Sequence, residues 1–273
     1  MKDLSNECLD WEGRPVDCTQ CPHKDLKSRG KCKKGEACIQ DRYAKRIERF
    51  FERNPTLARS YLMHPYFEIR AIALRHVDGH HQIRMSMDPD DTVRMSAAYY
   101  VPKKFLLRLR FDKSREVRIR AAGLLEGLDL VPMLIDPDYY VRQIVARKIP
   151  LEWLIFMVSD PEAAVRIEVA KRIGEEGLNI LANDLNEDVR LTVVSRLDSN
   201  ELSRFINDPS WKVRFEVVRR IHPGSLQIFC QDQDSFVREF AKLRMEELYG
   251  QTQNNQLKKG WEKKKDDERE GHQ

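Results

Sequence analysis

The sequence predicts an all-α solenoid, a stack of layers that each pair an α-helix with a shorter, tighter second helix. Three observations predict it. A bulky apolar residue followed by arginine recurs every 24 residues, at Ile69-Arg70, Val93-Arg94, Val117-Arg118, Val141-Arg142, Val165-Arg166, Val189-Arg190, Val213-Arg214 and Val237-Arg238, with no insertion or deletion. The composition, 34% charged and of low mean hydropathy, is poor for one spherical core but suits a quasi-one-dimensional array with much surface. Five of the six cysteines fall within the first 38 residues, ahead of the array.

Residues 1–40 form a cysteine-rich segment with Cys8, Cys18, Cys21, Cys32 and Cys38 set among glycines and prolines. Its apolar content is too small to hold it together by burial, so something bound to the thiolates must do so. From Cys18 to Cys38 the spacing is C-x2-C-x10-C-x5-C. The two-residue turn between Cys18 and Cys21 aims both sulfurs at one point, and Cys32 and Cys38 supply the return. Four thiolates meet the requirement of a [4Fe-4S] cluster and equally that of tetrahedral zinc. Lys24, Lys27, Arg29, Lys31, Lys33 and Lys34 stand near them against Asp25 and Glu36, and cations stabilise an anionic thiolate centre of either kind. The ferredoxin run C-x2-C-x2-C-x3-C-P and the C-x3-C-x2-C loop that leaves an iron open to substrate are both absent. Cys8, beside Trp11, is read as outside the ligand set.

Residues 41–54 are a connecting helix. Tyr43, Ile47, Phe50 and Phe51 share a face, and Asn54-Pro55 stops it. Residues 55–248 are about eight repeats. In the unit from Asp136 to Ser159, Asp136 and Pro137 read as N-cap and first helical residue of a helix of about 12 residues. The aspartate recurs at Asp88, Asp112, Asp160, Asp184, Asp208 and Asp232, with His64 in its place in the first unit. The second half of each unit carries apolar pairs three apart, such as Leu130/Met133 and Leu154/Met157, a spacing that fits a 3₁₀ helix. Residues 249–273 have almost nothing to bury and read as a disordered tail.

On a helical wheel the repeated arginine falls inside the apolar arc. It is therefore expected between layers, its guanidinium reaching an aspartate or the terminal carbonyls of a neighbour. A second basic row, including Arg75, Arg147, Lys148, Lys171, Arg172, Arg196, Arg219, Arg220 and Arg244, occupies the last turn of each helix, where it complements the dipole. It reads as the more exposed of the two and is the only candidate for a nucleic-acid face.

The unit D-P-x-x-x-V-R-x-x-V-A-x-x-I-P…L-x-x-L/M-x-x-D resembles the leucine-rich-repeat-variant motif. The C-x2-C…GKCKKGEAC segment followed by IQDRYAKRIERFFERNP is similar to that of the family's iron–sulfur members. The likeness spans about residues 8–248; His64 in place of aspartate, and Lys113, Leu185 and Gln233 in place of proline, depart from the motif. The resemblance implies a right-handed solenoid of alternating α and 3₁₀ helices, a [4Fe-4S] cluster held by Cys18, Cys21, Cys32 and Cys38, and an association with nitrogen-fixing bacteria.

The function expected is that of a redox-capable interaction or accessory factor that meets a protein partner through the solenoid surface. The alternatives are a zinc-stapled structural adaptor and a nucleic-acid binder. No nucleophile or general-base constellation accompanies the seven histidines, so no enzyme is expected. With no apolar run of membrane length and no secretory h-region, and with clustered cysteines, a reducing, cytoplasmic setting away from membranes is expected.

Overall fold

The computed structural model describes residues 8–248; the expected tail, 249–273, lies outside the described residues. Those residues are helical wherever they are regular, and the extended pairing among them is limited to two isolated bridges, Leu9–Pro15 and Lys33–Ala37. They fall into two compact units that divide between Ile149 and Pro150.

The first unit opens with the cysteine-rich segment. The helix Ala44–Arg53 follows, then layers in which a first helix (Phe67–Ala73, Asp91–Ala97, Arg115–Leu124, Tyr139–Lys148) alternates with a second one (Pro55–Tyr61, Gly79–Met85, Lys103–Leu109, Gly127–Met133). The second unit repeats the alternation with first helices Ala163–Ala170, Glu187–Arg196 and Trp211–Arg220 and second helices Leu151–Met157, Glu175–Leu181, Ser199–Phe205 and Pro223–Gln231. A further helix runs from 235 to 248.

The apolar member of each repeated pair is the centre of its layer. Val93, Val117, Val141, Val165, Val189, Val213 and Val237 are all fully buried, as are the second-helix residues Leu130, Leu154, Leu202 and Leu226. Burying such a side chain contributes about 1.5–3 kcal/mol, so each thin layer draws its stability from stacking on its neighbours.

The arginines lie where the wheel puts them. Arg94 is 5% exposed. Its Nε and Nη2 grip both oxygens of Asp112, 18 residues on, at 2.8 Å each. Its Nη1 donates to the carbonyls of Asp88 and Pro89, at 2.8 and 3.0 Å, closing the turn that leads into its own helix. The same fork joins Arg70 to Asp88, Arg118 to Asp136, Arg166 to Asp184, Arg190 to Asp208 and Arg214 to Asp232.

Asp136 is not an N-cap, contrary to the sequence reading. The helix begins at Tyr139, and its cap is Asp138, whose side chain accepts from the Tyr140 and Val141 N–H groups. Asp136 stands two residues earlier: one oxygen takes the Asp138 N–H at 2.9 Å while both serve Arg118. A carboxylate already committed to a neighbouring layer cannot also serve the first turn of its own helix. The first helices are accordingly shorter than expected, between 7 and 10 residues.

The second helices also depart from a uniform 3₁₀ assignment. Pro55–Tyr61, Gly127–Met133, Leu151–Met157, Ser199–Phe205 and Pro223–Gln231 are 3₁₀, whereas Gly79–Met85, Lys103–Leu109 and Glu175–Leu181 are α. The buried pair three residues apart is present in both kinds, as Leu130/Met133 and Leu106/Leu109 show. Over two turns that spacing lies on one face of either helix, so it cannot choose between them.

The second basic row proves to be largely structural. Lys148 donates to the Ala122 and Gly123 carbonyls, Arg196 to those of Ala170 and Ile173, Arg220 to those of Val194 and Leu197, and Arg244 to that of Val218. In each case the cation satisfies orphan carbonyls at the C-terminal end of the preceding layer's helix. Arg75 pairs with Glu48, Lys171 with Glu168 and Arg219 with Glu216.

Candidate metal centre

The segment that carries the cysteines is shaped by turns. The Cys21 carbonyl accepts the Lys24 N–H and leads into the short helix Asp25–Ser28. Gly30, at φ 67°, then reverses the chain in the left-handed region, which glycine enters without steric cost, and Cys32 follows. A second reversal between Lys33 and Ala37 passes through Gly35 at φ 79° and delivers Cys38, which is 8% exposed.

These turns are tied to the repeats. Asn54, 7% exposed, donates through Nδ2 to the carbonyls of Lys31 and Phe50, at 2.9 Å each. Glu36 bridges Lys33 at 2.7 Å and Arg53 at 2.5 Å, and these two cations bring its carboxyl down to about 2. Leu26 and Cys32 pack against the core that holds Ile47, Phe50, Phe51 and Ile69, so segment and first layers share one hydrophobic body.

Cys18, Cys21, Cys32 and Cys38 line one cavity, together with His23, Phe50, Lys24, Lys27, Lys33 and Lys34. Counted with the open solvent at its mouth its space is about 400 Å³, of which only about 20 Å³ would admit a water-sized guest. Electrostatics records the convergence. Burial, and next the neighbouring Cys21 and Cys18, push the Cys32 thiol up. Burial raises Cys38 to about 11, with Asp41 and Cys18 adding to the rise and the Gln40 N–H opposing it. Tyr61 is raised to about 12 by burial and by Cys21 and Cys38, and its hydroxyl lies 2.6 Å from His23 Nε2. Four soft donors around a lysine-rimmed cavity fit an anionic thiolate centre, because a bound metal would hold the thiols deprotonated and the cations would offset their charge. Among the described residues no three His, Cys, Asp or Glu side chains meet at a single-ion position. The structure thus places all four cysteines picked out by spacing on the wall of one cavity.

Cys8 does not line that cavity. It packs against Gly35, where an added Cβ would stand 3.2 Å from its sulfur. Its sulfur also accepts from Arg46 Nη1 at 3.8 Å. Arg46 is a residue the sequence reading passed over, although it lies 24 residues before Arg70 and so belongs to the same register. Its clamp partner would be residue 64, which is histidine. Arg46 binds Asp41 instead, at 2.9 Å, in a pair with 11% and 1% exposure. The helix Ala44–Arg53 is therefore a first repeat helix whose clamp is redirected onto the cysteine segment. His64 turns to Trp11 and Tyr61, with ring centroids 6.1 and 5.9 Å away. All three line a second, larger cleft of about 1220 Å³ by the same measure, which shares Ile39 and Gln40 with the cysteine cavity.

Comparison with known proteins agrees with this division. Residues 8–60 match the family described as the LRV protein FeS4 cluster. A solved structure titled "A leucine-rich repeat variant with a novel repetitive protein structural motif" is 36% identical, with a TM-score of 0.78. The match covers 83% of this chain and 97% of that one. The "27.7 kDa protein in nifB 3'region" of Rhodobacter capsulatus is 46% identical over 96 residues, which is 35% of this chain and 39% of that relative's length. The chain belongs to the leucine-rich-repeat-variant family and carries, at its cysteine end, the segment of that family's iron–sulfur members.

Proposed function

We propose that the chain is a redox-capable interaction protein. Cys18, Cys21, Cys32 and Cys38 hold a [4Fe-4S] cluster, and the repeats offer their surface to a partner protein. The observation that carries the reading is that those four thiols line one cavity, within the residues that match the family's FeS4-cluster segment. When bound, such a cluster supplies one-electron exchange. The chain's own part is to supply four thiolates, exclude water with Phe50 and Ile39, and set lysines around the charge. With four thiolates occupying every cluster iron, no iron is open to substrate, so no enzymatic role is proposed.

The partner is read as a protein and not a nucleic acid, because Lys148, Arg196, Arg220 and Arg244 spend their donors on backbone carbonyls. No helix among the described residues is long and apolar enough to cross a membrane, and four cysteines gathered at one cavity suit a reducing, cytoplasmic setting. A link to nitrogen fixation is proposed from the position given for the Rhodobacter relative, in the nifB 3' region.

The test is purification without oxygen, followed by iron and sulfide analysis, absorption near 400 nm and electron paramagnetic resonance after reduction. A brown protein with about four irons per chain is expected. A colourless protein holding about one zinc overturns the redox reading in favour of a structural adaptor.

A further inference from the structure

One row of exposed apolar side chains follows the 24-residue register through the first unit. The residue before the clamp position in successive layers is Met63, Met87, Phe111 and Ile135, at 74%, 67%, 66% and 88% exposure. In the second unit the same position holds Ser159, Asn183, Asn207 and Gln231, polar in every layer. Scattered exposed apolar residues need no explanation, but a register-locked row of bulky ones does. Neighbouring layers touch along it, since Arg84 Nη2 lies 3.6 Å from Met63 Sδ.

Exposed cations stand beside the row's two middle members, Met87 and Phe111. Arg84 and Arg108 precede Met87 and Phe111 by three residues on the same second helices, and Lys104 stands one turn before Arg108; all three are exposed. The Arg110 guanidinium lies over the Phe111 ring, 4.9 Å from its centroid. The equivalent helical positions in the second unit carry Glu152 and Glu176, four residues before the exposed Phe156 and Ile180. Those two exposed apolar groups have a carboxylate one turn away, whereas Met87 and Phe111 have a cation.

We propose that this face of the first unit docks an acidic amphipathic helix of a partner protein. The partner's apolar stripe would lie along Met63, Met87, Phe111 and Ile135, and its carboxylates would meet Arg84, Lys104 and Arg108. A single-file row, one side chain per layer, offers a narrow apolar seam of the kind that receives the apolar stripe of one amphipathic helix. It is too narrow for the broad apolar face that inserts into a bilayer. Methionine at two of the four positions adapts to the contours of a peptide. The proposal rests on the reading that the repeat surface carries a protein partner, and names where and of what chemistry.

The test pans a displayed library of helix-length peptides against the full chain. The peptides selected are expected to be acidic, with bulky apolar residues at i and i+4. Their affinity should fall at least about tenfold for the Met87→Glu/Phe111→Glu variant and weaken with salt. It should be unchanged for the control Asn183→Glu/Asn207→Glu. Arg84→Glu/Arg108→Glu provides a second, charge-only variant with the same expectation, should the first fail to fold by circular dichroism. No enrichment, enrichment of neutral or basic peptides, or equal binding to the folded variants would overturn the proposal. Variant-sensitive binding of phosphatidylglycerol vesicles without peptide binding would overturn it in favour of a lipid surface. Metal analysis of the same preparation separates the two readings. A zinc-loaded chain that binds acidic peptides overturns only the redox role, and an iron–sulfur chain that binds none overturns only the docking face.

Discussion

At the scale of single residues, the two sets of side chains that matter most do opposite things with charge. The clamp arginines are cations matched by carboxylate and carbonyl oxygens, while the four cysteines gather their sulfurs at one cavity where a bound cation would meet them. Removing one partner of a buried pair costs more than removing both, because a lone charge is left without water. Arg94→Ala is expected to destabilise the protein by about 3 kcal/mol in chemical denaturation. Asp112→Asn keeps the acceptor for the Ser114 N–H. The Arg94→Met/Asp112→Asn pair should therefore cost less than the sum of its singles, a coupling that a double-mutant cycle reads directly. The same aspartates set the acid limb. Burial opposes ionisation of Asp112, Asp184 and Asp232, but the Arg94, Arg166 and Arg214 forks outweigh it, so all three lie below the ordinary carboxylate range. A depressed folded value means that the unfolded chain binds the extra proton. Their contribution is complete above the unfolded value of about 3.9 and is lost as pH falls through the folded values. Denaturation midpoints are expected to be flat on this account from neutrality to about pH 5 and to drop below about pH 4. For the cysteines, Cys18→Ser, Cys21→Ser, Cys32→Ser and Cys38→Ser should each reduce iron content, whereas Cys8→Ser, away from the cavity, should retain it; iron loss in Cys8→Ser would place that residue among the ligands.

At the scale of the element, the first helices that begin at Asp91, Tyr139 and Glu187 are entered through two polar side chains, two residues apart, with separate duties. Asp136 joins layers and turns the chain, and Asp138 caps the helix. Asp138→Ala is expected to cost about 1 kcal/mol, and Asp136→Ala more, since it also strands Arg118; thermal melts of the two variants order them. This distinction was not legible in the sequence. An aspartate followed by proline reads as a cap and first helical residue, and nothing local reveals that the carboxylate is already held from 18 residues away. The inward position of the arginines was legible, because helical phase relative to buried valines is a local property. Arg46 was legible in principle by counting 24 back from Arg70, but the register is masked there: Lys45 stands where the other layers have an apolar residue, and histidine replaces the partner aspartate.

At the scale of the whole molecule, the cysteine segment is the layer the first repeat would otherwise lack. Asn54, Arg53 and Arg46 fasten it to the helix Ala44–Arg53, and Leu26 and Cys32 lend it a share of the first core. Its own apolar content is small, so on the proposed reading a bound metal would complete its order, whereas the repeats hold each other by stacking. Metal removal by a chelator is expected to open residues 8–40 to protease and hydrogen exchange. Most of the helical circular dichroism should remain, because the buried valine layers from Ile69 onward contain no thiol ligand. Cooperative loss of all helical signal on chelation would show instead that the segment nucleates the entire array.

The sequence by itself determined the periodic architecture, the buried face of the repeat helices and which four cysteines share one cavity, while Tyr43, expected on the buried face of the helix Ala44–Arg53, is exposed. Each of these rests on spacing along one chain, and helical phase and ligand count are both carried by spacing. Only the tertiary structure decided which oxygen each arginine holds, that the second basic row divides between backbone carbonyls and glutamates, and that Cys8 stands apart from the other four. Those are outcomes of competition between groups far apart in the chain for the same donors, acceptors and space, and that competition is settled only when the layers are stacked.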